Sequence, residues 1–273
     1  MLTPEQLAEF HRFGILRVPG AVPPQDANAM CDYVWEMLRE RYQVRRDDPE
    51  TWGARRVAGT HDLPKSVTFK QVASPSLCEV LDDLLGDNWQ RPDRWGFLLV
   101  AFPESRERWN LPHKNWHLDA PVVRSMSGLF GVRVFTCLAK LPPGGGGTVA
   151  VAGSYRLAEN LARAGGFERM RSTEVRKVLV SRHRWLKSLE TPDKKTDRIH
   201  DFMDTTTAIG DVEVRVFEMT GEPGDVILMH PLTMHAPSPN CSAVPRMVLS
   251  TTVYRCDVDP SLQYAPTGEA ARY

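Results

Sequence analysis

The stretch "RMVLSTTVYR", residues 246 to 255, carries the reading of the fold. Successive side chains of an extended strand point to opposite faces, so Met247, Leu249, Thr251 and Val253 make one face. Arg246, Val248, Ser250, Thr252 and Tyr254 make the other. The first face suits a core packed under helices. The second is more polar yet sits in the same apolar, β-branched run, which suits the lining of a cavity.

Outward from this strand, five more runs have strand length and strand composition: "WGFLLVAF" (95–102), "LFGVRVFTCLAKL" (129–141), "TVAVAG" (148–153), "VEVRVFEM" (212–219) and "DVILMH" (225–230). Helical patterns precede them. Thr3, Pro4 and Gln6 form a helix-start signature before Leu7, Phe10 and Phe13, with Gly14 placed to stop it, and "ILRVPG" then reads as a short strand and turn. Apolar residues recur at helical spacing from about Gln25 to Arg41, and a shorter helix is expected from Pro75 to Leu85. Helices first and antiparallel strands afterwards predict an α+β, mainly β fold whose strands close into a sandwich or jelly roll. One domain is expected over 1–273, with the polar, helix-prone stretch 155–210 as an insertion bordering the active site.

Composition narrows the partner. Thirty-four basic residues balance thirty-four acidic ones, so the chain as a whole has no net attraction to nucleic acid or to an anionic membrane. A small-molecule substrate is expected instead. The five cysteines are scattered, odd in number and without CxxC spacing, which argues for a reducing compartment and against structural zinc. The first residues lack a signal-peptide pattern and no apolar run spans a bilayer, so a soluble, cytoplasmic protein is expected.

The chemistry is suggested by "WHLDAP", residues 116 to 121. Residues two apart on an extended segment project to one side, so His117 and Asp119 can direct an imidazole nitrogen and a carboxylate oxygen at one point. A mononuclear non-haem iron site uses two histidines and one carboxylate and keeps open positions for substrate and dioxygen. For the third ligand, His11, His183 and His200 fall in sequence that reads as solvated helix or insertion, and His113 sits just upstream of the motif. The choice narrows to His230 or His235, both in "GDVILMHPLTMHAPSPN". Arg246 lies eleven residues beyond His235 on the polar strand face, where its planar fork could grip a carboxylate, and this favours His235. An H-x-D alone is common by chance, and Arg246 alone could be a surface salt bridge; their order and spacing together carry the reading. Arg55, Arg56 and His61 fit a solvated loop better than a substrate contact.

The set His117-x-Asp119, "GGGGTVAVAGSYR", "GEPGDVILMHPLTMHAPSPN" and Arg246, with the amino-terminal "EFHRFGILRVPG", resembles the phytanoyl-CoA dioxygenase family of Fe(II)- and 2-oxoglutarate-dependent oxygenases. The resemblance implies a double-stranded β-helix (jelly roll, cupin-like) core with N-terminal helices packed on the outer sheet. It implies Fe(II) on His117, Asp119 and His235, the distal carboxylate of 2-oxoglutarate on Arg246, a further hydrogen bond from Ser250, an aromatic wall at Phe135, and Thr148 in the same pocket. Hydroxylation with dioxygen, releasing succinate and CO2, is the implied default; desaturation, epoxidation and ring formation use the same site. Where the family usually has "GSH", this chain has Gly153, Ser154 and Tyr155. Asp119 argues against halogenation, because halogenating relatives carry a small residue there. Two readings from other classes are a divalent-metal hydrolase on the same ligands and a non-catalytic jelly-roll binding protein.

Overall fold

Thr3 Oγ1 accepts from the Gln6 backbone N–H and Gln6 Oε1 accepts from that of Thr3, a reciprocal cap that starts α1 (Pro4–Phe13). Gly14 ends the helix at φ +69°, and a Cβ there would lie 2.5 Å from a ring carbon of Tyr155, so both backbone and packing require glycine. The structure is a computed structural model that describes residues 1–53, 66–104, 108–124, 128–192, 197–258 and 262. After α1 come β1 (Ile15–Val18), α2 (Pro24–Tyr42) and α3 (Pro75–Leu85), the last capped by Ser74. The strands that follow are β2 (Phe97–Ala101), β3 (Val122–Val123), β4 (Gly131–Cys137), β5 (Val149–Ala152), β6 (Arg169–Met170), β7 (Thr207–Ile209), β8 (Val212–Glu218), β9 (Val226–Met229), β10 (His235–Ala236) and β11 (Arg246–Tyr254).

Two antiparallel sheets form the body, one in the order β1-β9-β4-β11-β2 and the other β10-β5-β8-β7, with β3 and β6 as a separate ribbon. This is the jelly-roll architecture that the strand runs predict. The odd face of β11 (Met247, Leu249, Val253) packs with Val132, Val134, Val226 and Leu228 under α2 and α3, against Met30, Val34, Leu38, Leu77 and Leu81. Each such fully buried side chain contributes roughly 1.5–3 kcal/mol. Val248, on the even face, instead joins Ile15, Phe135, Ala150, Ile227 and Met229 between the sheets. The two-faced reading of the strand therefore holds.

The outer face of the second sheet (Val149, Val151, Val212, Val214, Val216) is covered by α4 (Ser154–Ala164), α5 (Ser172–Arg182) and α6 (Arg184–Glu190), through Leu157, Leu161, Val175, Leu179 and Leu186. These helices, the first of which begins at Ser154, and a π turn at His200–Asp204 occupy most of 155–210, and β7, at the end of that stretch, is a strand of the second sheet. The strands β3, β6, β7 and β10 have two or three residues each, too few to show an alternation in sequence. The turn "GGGG" is tightly packed: a Cβ on Gly147 would lie 2.0 Å from the carbonyl oxygen of Met219. Among the described residues no helix is long and apolar enough to cross a membrane, and all five cysteines are free thiols.

Candidate metal centre

His235 sits on β10, opposite Ala150 of β5, and His117 joins it through an isolated antiparallel bridge in which each backbone N–H donates to the other's carbonyl at 2.9 Å. Residues paired in this way project to the same face, so both imidazoles enter the space between the sheets, with ring centroids 4.2 Å apart. Asp119 shares the face of His117, whereas Trp116, Leu118 and Ala120 turn outward into the core under α4.

The two imidazoles are oriented from behind. Nδ1 of His117 lies 2.9 Å from the carbonyl of Asn115, and Nδ1 of His235 lies 2.9 Å from that of Thr233. A carbonyl only accepts, so each Nδ1 carries the proton and each Nε2 presents its lone pair. Those Nε2 atoms stand 3.8 Å (His117) and 3.6 Å (His235) from Oδ1 of Asp119. All three atoms lie within 4.8 Å of one another, a spacing that one ion with bonds of about 2 Å can gather. The donor set suits such an ion in charge as well. Burial works against an ionised Asp119, but Arg133, then His235 and His117, more than offset it and hold the carboxyl below its usual range. Burial drives His235 down to about 4, which keeps it in the neutral form that can ligate. The side chain of His117 is 38% exposed while those of Asp119 and His235 are at 4–5%, so the cluster opens on the His117 side.

Arg133 is a residue that the sequence analysis missed. It lies on β4 opposite Thr252, and its Nη1 is 3.2 Å from Oδ2 of Asp119. Nε donates to Ser250 Oγ at 3.0 Å and Nη1 to Thr252 Oγ1 at 3.3 Å, with the rings of Phe97 and Phe135 at 5.3 and 5.5 Å from Cζ. The available signal was a lone charge in the apolar run "GVRVFTC", at a position sharing the face of Phe135.

Arg246, Thr148 and Phe135 meet in a second cluster, a narrow cavity of about 10 Å³ that Leu99, Met219, Ile227 and Val248 also line. Nη1 of Arg246 donates to the carbonyl of Gly146, and Nε is sealed from solvent with no hydrogen-bond partner among the described residues. Burial pulls this guanidinium down to about 10, against the influence of Glu104. At this width the cavity holds about one water, so a larger ligand requires side chains such as Leu99 and Met219 to rotate. Ser250 does not line it; it lies between the clusters as the acceptor for Arg133. Phe135 touches both.

His230 stands apart from the metal-competent group. It is buried, stacked on Tyr155 at 4.3 Å, with Nδ1 accepting from the Leu232 N–H at 3.1 Å, and burial drives it down to about 3. His11 and His200 are exposed. Arg55, Arg56 and His61 lie outside the described residues. A cavity of about 1160 Å³ is an open groove beside α6 and the π turn, lined by Arg184, Trp185, Lys187 and His200, and none of His117, Asp119 and His235 lines it. Just before the π turn, Arg198 donates to the carbonyls of Leu111 (3.1 Å) and Pro112 (3.2 Å), bracing the segment that leads into His117.

The profile of the family described as phytanoyl-CoA dioxygenase (PhyH) matches residues 10–248. Comparison with curated proteins finds no match. Among solved structures, HygX from Streptomyces hygroscopicus with nickel and 2-oxoglutarate bound has a TM-score of 0.54 at 14% identity, over 94% of this chain and 88% of that one. The non-heme alpha-ketoglutarate-dependent carbocyclase SnoK from nogalamycin biosynthesis has a TM-score of 0.58 at 16% identity, over 100% and 91%. The epimerase SnoN from the same biosynthesis reaches 0.50 at 18%, over 96% and 89%. At these identities the likeness is one of fold.

Proposed function

The chain belongs to the phytanoyl-CoA dioxygenase family of Fe(II)- and 2-oxoglutarate-dependent oxygenases, and on that premise we propose that it hydroxylates a small molecule at His117, Asp119 and His235. In this reading Nε2 of His117, Nε2 of His235 and Oδ1 of Asp119 hold the iron. Arg246 binds the distal carboxylate of 2-oxoglutarate, with Phe135 and Thr148 along the same cavity, and Ser250, which lies outside that cavity, acts through its hydrogen bond with Arg133. With dioxygen, iron and 2-oxoglutarate together supply the oxidising power, releasing succinate and CO2.

The observation that carries the reading is the convergence of two Nε2 lone pairs and one carboxylate oxygen on a shared point, each imidazole locked by a carbonyl behind it. The chain's own contribution is placement. Arg246 offers a cation to a dianion inside an apolar cavity, four residues and roughly 13 Å of strand from Ser250. A metal hydrolase would leave that buried cation without an anion to bind. The His117 side gives the substrate its approach.

Anaerobic addition of Fe(II) and 2-oxoglutarate should produce a visible charge-transfer band, and with dioxygen and substrate it should release one succinate per product carrying one added oxygen atom. Absence of both the band and oxygen-dependent succinate would sink the oxygenase site. Succinate release with a product of unchanged oxygen count would retain the site but replace hydroxylation by desaturation or ring formation.

A further inference from the structure

We propose that Arg133 is a positioning residue for the metal-binding carboxylate, holding Oδ2 of Asp119 so that Oδ1 alone turns toward the two imidazoles. This rests on the reading of His117, Asp119 and His235 as metal ligands. A carboxylate can give a metal one oxygen or both. With both, Asp119 would fill a position that an oxygenase of this kind keeps open. Arg133 stands where it prevents this, with Nη1 3.2 Å from Oδ2 while Oδ1 faces the Nε2 atoms at 3.6 and 3.8 Å.

The guanidinium is itself held in place. Ser250 and Thr252 accept from it on one strand, and Phe97 and Phe135 flank it. Its side chain is only 7% exposed, and a buried arginine costs folding energy unless its charge is matched. The match is Asp119. Oδ2 makes no well-aligned hydrogen bond in this arrangement, so the hold is electrostatic, and a different cation in the same place should keep part of it. Because Ser250 and Thr252 lie on the strand that also carries Arg246, β11 sets both the carboxylate ligand and the anchor for 2-oxoglutarate.

The test uses Co(II) as a probe, because its visible absorption reports how many atoms surround it. Arg133→Leu should bind Co(II) roughly 10- to 100-fold more weakly than the unaltered protein, with altered band intensity as the second oxygen of Asp119 is released. Arg133→Lys should fall between the two. Thr252→Val keeps the guanidinium but removes one of its anchors, and should weaken Co(II) in the same direction by less; it carries the test should Arg133→Leu fail to fold. Unchanged affinity and spectrum in Thr252→Val and in whichever Arg133 variants fold would overturn the proposal, as would Arg133→Lys behaving no better than Arg133→Leu. Failure of the ligand reading gives a different result: Asp119→Asn would then bind Co(II) as tightly as the unaltered protein.

Discussion

Two arginines enter the space between the sheets, and they are treated differently. Arg133 faces a carboxylate at 3.2 Å and two hydroxyls, all supplied by the protein. Among the described residues Arg246 has one backbone carbonyl for Nη1, and its buried Nε has no hydrogen-bond partner. A buried polar group left unsatisfied costs about 1–3 kcal/mol, more when charged. The difference teaches that one cation has its partners within the protein, while the other, on the function proposed above, takes the carboxylate of 2-oxoglutarate.

Arg246→Met gives the largest expected effect. Loss of a charge-assisted grip worth about 3 kcal/mol should weaken 2-oxoglutarate binding more than a hundredfold, read by anaerobic titration of the charge-transfer band, with Co(II) affinity preserved. Equal 2-oxoglutarate affinity would remove the contrast. The reverse holds for folding without metal or cosubstrate. Arg133→Met strands a buried carboxylate and should lose about 3 kcal/mol in urea denaturation, whereas Arg246→Met removes a buried group that lacks a partner and should lose nothing and gain up to about 2 kcal/mol. Similar losses in both would mean that the two arginines play the same structural part.

Glu218 extends the comparison from cations to a half-buried acid with no cation acting on it among the described residues. Burial pushes it up to about 7 from 4.5, opposed by the Gly144 N–H that donates to Oε1 at 2.8 Å. The fold therefore binds a proton that the unfolded chain has released, and stability is full below pH 4.5 and falls as pH rises through 7. Glu218→Gln keeps an acceptor for Gly144 and should raise stability at pH 8 by about 2 kcal/mol, with little change at pH 4. A variant whose denaturation midpoint keeps the original pH slope would assign that slope to other groups. The smallest effect is at Thr148, which shares the Arg246 cavity. Thr148→Val should weaken 2-oxoglutarate by roughly 3- to 10-fold, the value of about one hydrogen bond, and no change would place the hydroxyl outside the binding path.

Much of the fold was legible in the residues. The Thr3–Gln6 cap, the Gly14 stop, the helix at Pro75–Leu85 and the six long strands follow from capping chemistry and from alternation along a chain. The four short strands were not legible, although one of them, β10, carries His235. Arg133 was passed over because a lone charge in an apolar strand reads as a surface position until the face it occupies is known. Ser250 was placed on the correct strand face, but its contact with Arg133 depends on the register that sets Thr252 opposite Arg133.

What the sequence alone determined is local: which segments are helix or strand, that His117 and Asp119 share a side, and that Arg246 lies on the cavity face of its strand. Periodicity and capping act between near neighbours, so one chain suffices to read them. Only the tertiary structure decided that His235 rather than His230 meets His117 and Asp119, that Arg133 stands behind the carboxylate, and that Phe135 touches both clusters. Those meetings join residues up to more than a hundred positions apart. They depend on strand register and on how one sheet lies over the other, which the side-chain pattern of a single strand does not specify.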